Sequence, residues 1–179
     1  MTSHASQAQN KSPKIPTTES DVRAPPTTSP TASGSNSRDD FAFSGLFPGK
    51  TYVILEKISS RAITSTGDGL CLEDIEDDSD EWNQNNRWLC VESNGYLALQ
   101  DVKSGKYMGH DGKQNVCAQA TKLGGWECIT TRDHPNGGYQ LLSPHWLQSL
   151  MAIVVAEDGK SLVRRQHGTT LWRFVKVSD

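Results

Sequence analysis

Apolar and polar positions alternate in short runs from Tyr52 to the end of the chain, and Gly-rich turns separate the runs. YVIL begins at Tyr52, YLAL at Tyr96 and YQLL at Tyr139, spacings of 44 and 43 residues. Each is followed, further on, by a tryptophan segment: RWLCVES at Trp88, GWECITT at Trp126 and LWRFVKV at Trp172. Three related middles lie between them: GDGLCLE at Gly67, GKQNVCAQ at Gly112 and DGKSLVRR at Asp158. Period-two alternation in β-branched and aromatic runs, without helical caps, predicts strands over nearly all of residues 48–179. Recurrence at this period predicts threefold internal repetition.

The alternation also predicts a core. Each tryptophan is expected to be buried, and Trp126→Ala is expected to cost roughly 3–5 kcal/mol. Cys90 and Cys128 each stand two residues after a tryptophan, where the third segment has Phe174; Cys71 and Cys117 match Val163. The four thiols are therefore expected on the inner face as small apolar side chains. No C-x-x-C pair and no zinc-finger spacing of His is present, so neither a metal nor any other cofactor is expected. One register is ambiguous. With Val53/Leu55 and Leu97/Leu99 facing inward, the same alignment turns Gln140 inward, so the third segment is expected to carry an offset.

Composition separates a tail from this pattern. Residues 1–40 hold no aromatic residue and are rich in Ser, Thr and Pro. Residues 1–44 are expected to be a disordered tail ahead of a single domain at 45–179, because such a segment buries too little apolar area to offset its ordering entropy. Ser12-Pro13 and Ser29-Pro30 offer sites to proline-directed kinases. A net charge of −3 speaks against nucleic-acid or anionic-membrane binding. No apolar run approaches the ~18 residues of a spanning helix. The N-terminal sequence has no signal-peptide core, so a cytoplasmic location is expected.

The opening of the middle segment resembles the fascin-like repeat of the actin-crosslinking superfamily, L-x-L-x-x-x-x-S-G-K-Y-[LM]-G-x-D-G-x-x-N-V-x-A. It is carried by Leu97, Leu99, Ser104 to Gly109, Asp111, Gly112, Asn115, Val116 and Ala118. The resemblance implies an all-β β-trefoil, three pseudo-repeats of four strands, acting as a protein-interaction module with actin as the candidate partner. More distantly, the three-segment plan resembles ricin B-type lectins, which implies carbohydrate binding. That family's Gln places hold Asn86, Gly124 and Thr170 here, and its Asp places hold Thr64, Gly109 and Val154, so a sugar site would have to be built differently.

Candidate site residues are those that break the repeat. An acidic insertion, EDIEDDSDEWNQNN (Glu73 to Asn86), contains Trp82, either an anchor folded onto the domain or an exposed binding aromatic. His145 and Trp146 stand where the middle segment has the turn DVKSGK. Lys160, Arg164, Arg165 and His167 form a basic group; opposed to the acidic insertion, it would favour weak head-to-tail self-association. No G-x-S-x-G, P-loop or H-E-x-x-H is present, and a non-catalytic binding module for a protein or a glycan is expected.

Overall fold

A computed structural model describes residues 45–67, 69–75, 84–145 and 149–177. The tail, the acidic insertion over 76–83 with Trp82, and Trp146 lie outside the described residues. Twelve strands account for most of the rest. They are β1 Thr51–Glu56, β2 Ala62–Thr66, β3 Gly69–Glu73, β4 Arg87–Ser93, β5 Tyr96–Asp101, β6 Tyr107–His110, β7 Val116–Ala120, β8 Thr130–Asp133, β9 Tyr139–Pro144, β10 Leu150–Val155, β11 Leu162–Arg165 and β12 Trp172–Lys176. A 3-10 turn, Gln84–Asn86, precedes β4. Among the described residues no helix is long and apolar enough to cross a membrane.

The strands form one antiparallel network, running β11-β10-β9-β12-β1-β4-β5-β6-β7, with β2 and β3 attached to β1 and β8 attached to β9. The first strand pairs with the last, Tyr52 opposite Lys176 and Ile54 opposite Phe174. A bridge from Asn115 to Val163 links the two ends of that path, and another joins Cys71 to Ser161. The β4–β5 turn is Asn94-Gly95, with φ of 53° and 80°, the left-handed pair a two-residue hairpin demands.

The inner faces meet in one apolar cluster. The first strand of each segment contributes Tyr52 and Ile54, Leu97 and Leu99, or Tyr139 and Leu141. Ile63, Met108 and Ile153, spaced by 45 residues, join them, as do Leu70, Val116 and Leu162, spaced by 46. Trp88, Ile129 and Trp172 belong to the cluster as well.

Three expectations are corrected. The offset lies in the middle segment, not the third. Gln140 does not point inward with Leu141. Tyr96 is 48% exposed and Leu97 takes the inner place, because the Asn94-Gly95 turn pairs Tyr96 with Ser93 and Leu99 with buried Cys90. Residues directly opposite share a face, so the turn fixes which side Tyr96 takes. In β1 the inner pair is Tyr52/Ile54, while Val53 and Leu55 pack with Ala62 and Val177 in a second cluster.

Trp126 is not core. It is 56% exposed, in the loop before β8. Paired backbone hydrogen bonds between Leu97 and Ile129, at 2.7 and 3.2 Å, put Ile129 on the inner face instead.

Of the four free cysteines only Cys90 is buried; Cys71, Cys117 and Cys128 are half-buried. Their apolar neighbours Leu70, Leu72, Val116 and Ile129 take the inner positions, and alternation turns the thiols away. Burial raises the pKa of every one, that of Cys90 to about 11.

Candidate functional site

The displaced Trp126 heads a cleft between β6, the end of β9 and β11. Its loop carries Gly124-Gly125 and is pinned by Glu127, whose carboxylate accepts the Gly124 N–H at 2.9 Å. The loop lies directly on β6 at Gly109. A Cβ there would stand 2.9 Å from the Trp126 carbonyl oxygen and 3.1 Å from Glu127 Oε1, so only glycine fits. The space a side chain at 109 would claim is thus taken by a carboxylate from Glu127.

One residue on, the His110 ring stacks on the Trp126 indole, with centroids 5.0 Å apart and planes 26° from parallel. Gly112, at φ +79°, passes beneath the indole; a Cβ would come within 3.0 Å of its Cη2 atom. The Gly112 N–H donates to His110 Nδ1 at 3.0 Å, which places the proton of the neutral ring on Nε2. Burial, then the charges of Arg164 and His145, push the His110 pKa down to about 4 against the opposing pull of Asp111. The imidazole is therefore neutral near pH 7, a flat partner for the indole and a single N–H donor.

Pro144, His145 and Arg164 form the opposite wall of this 310 Å³ cleft. Arg164 is 2% exposed. Its Nη1 donates to Ser143 Oγ at 3.2 Å and its Nη2 to the Lys113 carbonyl at 3.0 Å, while Nε has no partner. Burial pulls its pKa down.

A second cleft of 510 Å³ adjoins the first at His145, lined also by Lys113, Gln114, Arg165 and His167. The Arg165 guanidinium donates to Gln114 Oε1.

The candidates from sequence are therefore split. His145 and Arg164 come together in one cleft, and Arg165 joins them across His145. Lys160 does not line either cleft. It sits in the β10–β11 turn, its carbonyl accepting the Leu72 N–H at 2.9 Å. Trp82 and Trp146 lie outside the described residues. Sequence reasoning missed Trp126, His110 and Gly112 as site residues. A signal was present: Trp126 stands 38 residues after Trp88 but 46 before Trp172, an uneven division that Ile129 evens out. A larger cleft of 840 Å³, around Thr64, Thr66, Glu73, Asp101 and Lys106, has no aromatic side chain among the described residues that line it. Among the described residues no three His, Cys, Asp or Glu gather as metal ligands.

No protein-family model matches the chain, and no curated protein matches it by sequence. Solved structures do match. The chain is similar to a GlcNAcα1-4Gal-releasing endo-β-galactosidase from Clostridium perfringens, with a TM-score of 0.60 and 14% identity over 72% of this chain and 33% of that one. It is similar to the designed threefold-symmetric protein ThreeFoil, TM-score 0.57, 19% identity, over 71% of this chain and 99% of that one. It is similar to a ricin B-like lectin from Macrolepiota procera in complex with lactose, TM-score 0.51, 12% identity, over 76% of this chain and 92% of that one. The chain thus spans a third of the galactosidase and nearly all of the two smaller proteins. The likeness shows the fold alone: an all-β, trefoil-like domain. It gives the fascin-like side and an actin partner no support.

Proposed function

We propose that this chain is a non-catalytic carbohydrate-binding module. Its domain is read as a β-trefoil of three pseudo-repeats of four strands, with the sugar site in the cleft headed by Trp126. One observation carries the reading: an indole more than half exposed, held flat against His110 and Gly112 at the mouth of a cleft. The C–H face of a pyranose stacks on such a surface, and nearby N–H groups take its hydroxyls. His110 Nε2–H is such a donor. Two further facts support the reading. Several trefoil-like structures similar to this chain are lectins, and one was solved with lactose bound. Among the described residues the cleft lining contains no carboxylate, whereas glycoside hydrolysis ordinarily calls for a pair of them.

The test is a glycan array probed with the whole chain and with Trp126→Ala. Binding to a defined set of saccharides, lost in the variant while the fold persists by circular dichroism, is the expected result. Wild-type binding unchanged by Trp126→Ala would move the site elsewhere.

A further inference from the structure

Arg164 poses a question that the sugar reading leaves open. A guanidinium 2% exposed is a buried cation, and its hydrogen-bond partners are a hydroxyl and a carbonyl, both neutral. Among the described residues it has no ion pair, and Nε has no acceptor at all. Burying a cation without a counter-charge is costly. The surroundings add positive charge instead of cancelling it. The two adjoining clefts are lined by the cations Arg164, Lys113 and Arg165 together with the imidazoles of His145, His167 and the neutral His110, and among the described residues by no Asp or Glu. This runs against the sign of the chain, which is net −3. Asp111 is the carboxylate whose field reaches Arg164, and it is already engaged. Its oxygens accept the Lys113 N–H at 2.8 Å and the Asn115 amide at 2.7 Å, and it lines neither cleft.

We propose that the saccharide held here is anionic: one ring stacks on Trp126, and a carboxylate or sulfate on the same glycan is taken up beyond His145 by Arg165 and Lys113. This rests on the sugar reading above. Arg165 is placed for the task, its guanidinium steadied by Gln114 at the open cleft. Arg164, behind the wall, supplies fixed positive potential without needing to touch the ligand. Its field is little screened by salt because it is buried. His145 borders both clefts and so lies between the ring and the anion.

The test uses an array of matched glycans: each neutral oligosaccharide beside its sialylated, uronate-bearing and sulfated counterparts. The wild type, Trp126→Ala and the double variant Arg165→Gln/Lys113→Gln are compared; both double-variant positions are exposed, so folding is not at stake. The wild type should hold acidic members at least about tenfold tighter than their neutral partners. The double variant should bring that ratio near one while keeping neutral binding, and Trp126→Ala should lose both. The carboxylate and sulfate arms tell which anion is taken, and a preference for either supports the proposal. Equal wild-type binding of neutral and acidic partners overturns it and leaves the sugar reading standing. An acidic preference that survives the double variant also overturns it, since the anion then sits elsewhere. If no glycan binds and sedimentation instead shows salt-sensitive self-association abolished by the double variant, the surface serves a second copy of this chain, and both proposals fall.

Discussion

Trp88 and Trp172 differ from Trp126 in every respect but composition. The first two are fully buried at the starts of β4 and β12, and each indole N–H donates to a carbonyl, Ile63 at 2.9 Å and Ile153 at 3.1 Å. Trp126 stands in a loop, 56% exposed, with a histidine for a neighbour. The difference comes from a shift of three residues. Ile129 fills the inner place across from Leu97, and the indole is released to the surface. A side chain that stabilises the domain in two regions is thereby free to act as a binding surface in the third.

The largest effect should come from the buried pair. Trp172→Ala removes a fully buried indole and leaves the Ile153 carbonyl without its donor, so urea denaturation should show a loss of roughly 3–5 kcal/mol. A loss below about 1 kcal/mol would erase the distinction between the two regions.

Acid comes next, acting at the exposed region. The folded His110 pKa, about 4, lies below its ordinary 6.5, so the unfolded chain binds more protons between those values. Stability from this group is therefore complete above pH 6.5 and lost as pH falls toward 4, by at most about 3 kcal/mol. Arg164, Asp111 and His145 are the charged groups that act on it. In His110→Phe, which keeps a flat ring, the slope of stability with pH across that window should flatten; an unchanged slope would contradict a buried neutral imidazole.

Gly112→Ala should cost about 1–2 kcal/mol for placing a side chain at positive φ, and should also displace the indole, weakening saccharide binding more than its stability cost accounts for. Trp126→Ala should be the mildest for stability, within about 1 kcal/mol, because little area returns to water. This reverses the expectation read from the sequence alone. Thiol labelling sharpens the same contrast: native alkylation should reach Cys71, Cys117 and Cys128 slowly and Cys90 only on unfolding.

Strand content and turn positions were legible in the sequence because period-two alternation and Gly-rich turns are local signals. The inner residues of β3, β7 and β11 were misread by one position. Cys71 and Cys117 share a register with Val163, but their recurrence says nothing of which face they take. That is decided by pairing partners far along the chain. The site was less legible for the same reason. Arg164 and His145 drew notice by breaking the repeat, and they do meet. Trp126 escaped because it kept the composition of the tryptophan segments while leaving their register; its uneven spacing from Trp88 and Trp172 hints at the shift, and the Leu97–Ile129 bridge establishes it. His110 and Gly112 read as ordinary turn-flanking residues until the indole is laid over them.

The most direct measurement is a titration of nitrogen-15-labelled protein with the tightest-binding saccharide, following the indole N–H resonances assigned through Trp126→Phe. The account predicts that the Trp126 resonance moves with saturation while those of Trp88 and Trp172 stay in place. A saccharide that binds and leaves the Trp126 indole unmoved would contradict it.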